Sequence, residues 1–251
     1  MNHSSASKQR FARDVLIAGA ANLARSLRGL ILLPIITGHL SLAHYGEWEM
    51  LTIAIAFLTP WITFSLGSAL IRFLPGQDDA VVSEGFYSIF CFVLFSSGLA
   101  AFALWLLATP LSSFPALAPL ARNSPAIAFV LVGSSLLGIV LSYFRAFRLM
   151  FSHSLLSLSQ HFIEVVLIAY LLQTGAPLAD ALWAFGATRA LLMTVGLIRI
   201  ATTRGITRPR FAQLRAYLAF AIPLIPSSLF YQLYDQADRF FIYAFIDATA
   251  V

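Results

Sequence analysis

The sequence predicts an all-α fold, a polytopic membrane helix bundle, and three observations carry that prediction. The chain is 59% hydrophobic and 11% charged, with a mean hydropathy of +0.83, whereas soluble domains carry about 25% charged residues. Its apolar residues gather into seven continuous runs, at 14–38, 47–74, 86–109, 126–148, 154–174, 178–200 and 216–240. Each is about 20–28 residues long, enough to cross a bilayer as a helix with some tilt. The third observation is charge placement: lysine and arginine collect in alternate connectors, as topology signals do. The runs lack the apolar/polar alternation of outer-membrane strands, which favours helices over a barrel.

The leader, residues 1–13, is polar and basic. The run after it is too long for a signal-peptide core and contains Arg25 and Arg28, so it reads as a first membrane helix that stays attached. A charge at bilayer depth costs about 2.5–3.5 kcal/mol on insertion scales, so such groups face a protein interior or a watery cavity. Their three-residue spacing puts Arg25 and Arg28 on one helix face, with Asn22 a turn earlier. HLSLAHYG links the first run to the second, and PGQDDAVVSEG links the second to the third. The Pro-rich TPLSSFPALAPLARNSP follows the third and suits a segment lying in the interface. Prolines at 34, 60, 223 and 226 fall inside apolar runs, where they loosen or kink a helix; the pair in the seventh run makes that run the expected bend. Trp48, Trp61, Trp105, Tyr143 and Trp183 read as interface anchors.

The connectors on one side hold Lys8, Arg10, Arg13, Arg72, Arg145, Arg148 and the five arginines from Arg199 to Arg215; the other side holds Arg122 alone. Eleven against one predicts a cytoplasmic N-terminus. The same count turns the net charge of +5 away from nucleic acid and toward anionic lipid headgroups. Cys91 is the one cysteine, which leaves no intrachain disulfide and reads as a small buried hydrophobe. His39, His44, Glu47 and Glu49 lie close in sequence but match no zinc spacing. The chain contains no Gly-rich phosphate loop, zinc-protease motif or nucleophile elbow, so no catalytic residue, cofactor or metal is assigned.

The chain's two ends echo one another weakly: LILLPIITGHLSLAHYG and RFFIYAFIDATAV each read as a helix, an apolar exit and a polar turn. Such an echo is what a transporter built from two halves shows. The opening stretch, with Pro34–Thr37, Leu40, Ser41, Tyr45 and Gly46, resembles the start of bacterial polysaccharide (Wzx-type) flippases, in the superfamily of MATE exporters. A second match, with Pro223–Ser228 and Asp238–Phe240, resembles the first helix of that family's second bundle.

The resemblance implies a six-helix N-terminal lobe plus the first helix of a second lobe. In residues, that is a cytoplasmic segment 1–13, a bundle 14–200, a basic linker 201–215 and a helix 216–251 of a second bundle whose remainder would lie beyond Val251. It also implies the transport of undecaprenyl-diphosphate-linked oligosaccharide across the inner membrane, with polysaccharide polymerase and chain-length machinery as partners alongside the lipids. A diphosphate needs cationic donors, and the arginine fork suits it. Arg25 and Arg28, with Asn22, and Arg189 on the sixth run are the expected substrate-binding residues; pairing with a carboxylate such as Glu164, or snorkelling, is the alternative. Gln160, His161 and Glu164 form a polar face on the fifth run, either an ion-coupling site at Glu164 and His161 or an internal bonding network. Asp235 on the seventh run is a further ion-coupling expectation. A MATE-like cation antiporter and a membrane enzyme acting on the same lipid carrier stand as alternatives.

Overall fold

The computed structural model describes residues 42–114 and 117–231, with the isolated positions Gly19, Leu23, Pro34, Gly38 and Tyr234. Every regular element among them is helical: α1 (Leu42–Thr63), α2 (Leu66–Phe73), α3 (Asp79–Ser112), α4 (Ala118–Arg122), α5 (Ser124–Ala146), α6 (Met150–Gln173), α7 (Leu178–Arg204) and α8 (Leu214–Ala221). α8 runs on through a 3-10 turn, Ile222–Leu224, as one apolar helix to Tyr231. Five segments among the described residues are long and apolar enough to cross a membrane, and the bent pair α1–α2 passes the same test as one broken span or a re-entrant loop. With this many spanning helices the chain is a multi-pass membrane protein.

The bend falls elsewhere than expected. The second span turns by 50° between α1 and α2, while the helix of the seventh only tightens at Pro223. Pro60 has no N–H to continue the helical ladder, yet α1 continues past it to Thr63. The break itself is at Phe64 and Ser65, both at positive φ (49° and 53°). It frees backbone carbonyls in an apolar setting, and a neighbour meets one of them: the Ser96 hydroxyl on α3 donates to the Ile62 carbonyl at 2.7 Å.

Two further boundaries differ from expectation. The connector HLSLAHYG is already helical from Leu42. The stretch Asp79–Gly85, expected in a loop, begins α3, whose 34 residues reach about 50 Å at 1.5 Å per residue and so project beyond the hydrocarbon core. That projection clamps the linker after α7. Asp79 pairs with Arg204, Ser83 and Tyr87 donate to the carbonyls of Arg204 and Gly205, and the Phe211 N–H donates to Ser88.

The hairpins therefore sort the charges by end. Arg72, Arg145, Arg148, Arg199, Arg204, Arg208, Arg210 and Arg215 belong to the connectors and helix ends gathered around this clamp. Arg122 lies at the opposite end, 2.6 Å from Glu47. The α5–α6 hairpin is tight because Arg148 takes positive φ (54°) and the Leu149 N–H reaches back to the Phe144 carbonyl at 2.8 Å.

α5 is the central helix: 67% of its most apolar window is buried, against 22% for α3 and α6. It packs most closely on α7, where Gly133 and Gly186 bring the two backbones together. A Cβ on Gly133 would sit 3.3 Å from the Gly186 carbonyl oxygen, the close approach that small residues allow in membranes. Large side chains such as Phe95, Phe102, Phe162, Tyr170 and Ile198 stay exposed around the outside, as a lipid-facing surface requires. Trp61, Trp105 and Trp183 belong to that exterior, but Trp48 and Tyr143 are buried at 5% and 2% exposure. These two are core residues and not anchors, because Trp48 packs edge-on against Phe185 and Tyr143 is ringed by Phe86, Phe144 and Phe147.

Candidate functional site

The glycine seam sets the site. Arg189 lies one turn beyond Gly186 on α7 and Ser134 follows Gly133 on α5, so the close backbone approach brings the two side chains face to face. Glu164 and Gln160, one turn apart on α6, complete the cluster.

The bonds form one continuous chain. The Ser134 hydroxyl donates to the Val130 carbonyl at 2.6 Å and accepts from Arg189 Nη1 at 2.6 Å. Arg189 Nε donates to Glu164 Oε1 at 3.0 Å, and Gln160 Nε2 donates to the same oxygen at 3.1 Å. The Glu164 side chain is fully buried and that of Arg189 is 14% exposed. The guanidinium carbon also lies 5.7 Å from the centre of the Phe185 ring, within cation–π range. Burying either charge alone would be costly, and the pairing with its extra hydrogen bonds offsets that cost.

Arg189 faces a cavity of about 300 Å³ between α1, α5, α6 and α7. Its walls include Trp48, Ile55, Leu137, Leu182 and Phe185, with Thr52, Ser134, Gln160 and Arg189 as the polar points. An arginine has five N–H donors; two are used in the bonds to Glu164 and Ser134, and three have no partner among the described residues. The site is a mostly apolar cavity with a fixed, partly satisfied cation at its edge, the usual form of a small-ligand pocket.

Of the expected site residues, Gln160, Glu164 and Arg189 come together. His161 is half-buried on the same helix and is not among the residues lining the cavity. Asn22, Arg25, Arg28 and Asp235 lie outside the described residues, as do His39, Asp238 and Arg239. Arg189 meets Glu164, so the carboxylate-pairing alternative describes its geometry, while its remaining donors keep it available to a ligand. Sequence reasoning missed Ser134, Thr52 and Phe185. Ser134 had a readable signal: a small polar residue beside a glycine in an apolar helix marks a helix–helix contact.

The profile of the family described as "Polysaccharide biosynthesis protein" matches residues 11–251. Neither a curated protein nor a solved structure matches the chain. The match runs through every helix described above and agrees with the resemblance carried by Pro34–Thr37 and Pro223–Ser228. This multi-pass helical membrane protein belongs to the polysaccharide biosynthesis protein family.

Proposed function

We propose that the protein is a flippase: it carries undecaprenyl-diphosphate-linked oligosaccharide units across the cytoplasmic membrane by alternating access. The observation that carries the proposal is the Arg189–Glu164–Ser134–Gln160 chain beside a cavity inside a bundle of apolar helices. Membership of a polysaccharide biosynthesis family supplies a glycan as cargo, and buried polar groups within a bilayer are expensive enough to mark a transport path.

On this reading Arg25 and Arg28, with Asn22, meet the diphosphate, and the three remaining donors of Arg189 meet the cargo as well. On this reading the basic end is the cytoplasmic one and the N-terminus shares that side, in the inner membrane of a cell making O-antigen, capsule or exopolysaccharide; the lysine and arginine bias of the connectors supports it. The broken span α1–α2 supplies a hinge for rocking. Glu164, with His161 a turn away and Asp235, is the proposed ion-coupling group. Polymerase and chain-length machinery receive the cargo afterwards. The cation-antiporter reading is the weaker one, because the cavity presents an arginine, Arg189, to any ligand that enters it.

The test is loss and rescue of surface polysaccharide with the complete gene. Arg25→Ala and Arg28→Ala are expected to abolish export while the protein still inserts. Normal export by both variants would refute the anion-site assignment.

A further inference from the structure

Among the described residues, the cavity beside Arg189 has a charge balance that a diphosphate site lacks. The described lining includes one cation, Arg189, and that cation is bound directly to Glu164, a carboxylate with no exposed surface. An incoming dianion would compete with Glu164 for the guanidinium while being repelled by it. Discrimination by a misplaced like charge is one way a site rejects a ligand. The remaining chemistry suits a neutral, hydroxyl-rich ring. Spare N–H donors on Arg189 and the side-chain amide oxygen of Gln160 offer both halves of hydroxyl hydrogen bonding. Ile55, Leu137, Leu182 and the aromatic pair Trp48–Phe185 offer apolar walls for C–H faces. A volume of about 300 Å³ stands at the small end of ligand pockets, the scale of a sugar unit and not of a prenyl chain.

We infer that this cavity is a subsite for an uncharged sugar ring of the cargo, with Glu164 acting as the internal counter-anion that keeps phosphate out. The inference rests on the flippase reading for the class of cargo, and it divides recognition in two: the glycan is read between α1, α5, α6 and α7, and the diphosphate elsewhere.

A thiol reporter in the cavity wall tests this without any transport step. In the purified full chain carrying Cys91→Ser and Ala56→Cys, the new thiol is labelled with a small neutral methanethiosulfonate. Millimolar glucose, galactose, rhamnose and N-acetylglucosamine are tried in turn as protectants, with inorganic pyrophosphate and farnesyl diphosphate as anionic probes. At least one neutral sugar should slow labelling several-fold, and neither anion should do so. With Glu164→Gln added, pyrophosphate should gain protection. Protection of the Glu164-containing protein by pyrophosphate equal to that by the best sugar would overturn the inference, and so would protection by no sugar. If Glu164→Gln does not fold, the sugar-against-pyrophosphate comparison still decides. Sugar protection in a protein that fails to restore export would refute the flippase reading alone; normal export with pyrophosphate protection would refute the subsite alone.

Discussion

Replacing Arg189 and Glu164 by methionine, singly and together, probes the bundle's internal charge balance. At 3.0 Å between Nε and Oε1, two unit charges attract by about 5 kcal/mol at an effective dielectric of 20. Desolvation of two buried ions consumes several kcal/mol of that gain, so the pair adds little net stability over an apolar pair of similar volume. Either single change removes the charge paired directly with the other group. Arg189→Met leaves Glu164 with no exposed surface and only Gln160 still donating to Oε1 among the bonds described, and Glu164→Met leaves a cation held by Ser134. Each single variant should therefore lose about 3–5 kcal/mol of unfolding free energy. The double variant should lie within about 2 kcal/mol of the parent, against the 6–10 kcal/mol loss that additivity requires. Equilibrium unfolding in detergent micelles, followed by tryptophan fluorescence, measures the cycle. A double variant as unstable as the sum of the singles would refute the coupled pair.

The glycine seam and the broken span give two further tests. A Cβ on Gly186 would lie 2.2 Å from Phe129 Cδ1, whereas one on Gly98 meets nothing within 4 Å; Gly186→Ala should cost about 1–3 kcal/mol in thermal unfolding, and Gly98→Ala should be neutral or stabilising by up to about 1 kcal/mol. Ser96→Ala removes the donor to the Ile62 carbonyl at the α1–α2 break and should cost about 1–3 kcal/mol with helix content unchanged by circular dichroism.

Much of the fold was legible because a bilayer leaves few options: continuous apolar runs must be helices, and the arginines at the connectors from Arg72 to Arg215 reported which helix ends share a side. Legibility failed where a local signal met a tertiary answer. Pro60 marked a loosened helix, but the turn is at Phe64–Ser65, where Ser96 can satisfy a freed carbonyl. Trp48 carried the composition of an anchor, yet Phe185 and the cavity hold it inside. At the site, Gln160 and Glu164 could be read from their one-turn spacing on a single helix. Their meeting with Arg189, 25 residues away in sequence, depends on how α6 and α7 pack, which periodicity alone does not specify. Ser134, beside Gly133, could be read as a helix–helix contact, but its meeting with Arg189 depends on the Gly133–Gly186 approach, which the sequence alone does not specify.

The claim that this protein moves a finished lipid-linked glycan, and does not build one, is tested most directly by the leaflet in which that glycan sits. Deleting the complete gene should leave lipid-linked repeat units of unchanged composition, accumulated in the cytoplasmic leaflet and shielded from a periplasmic glycan-modifying probe, and the wild-type gene should restore their exposure. Repeat units that reach the periplasmic face normally without the gene, or that are altered in composition, would contradict the account.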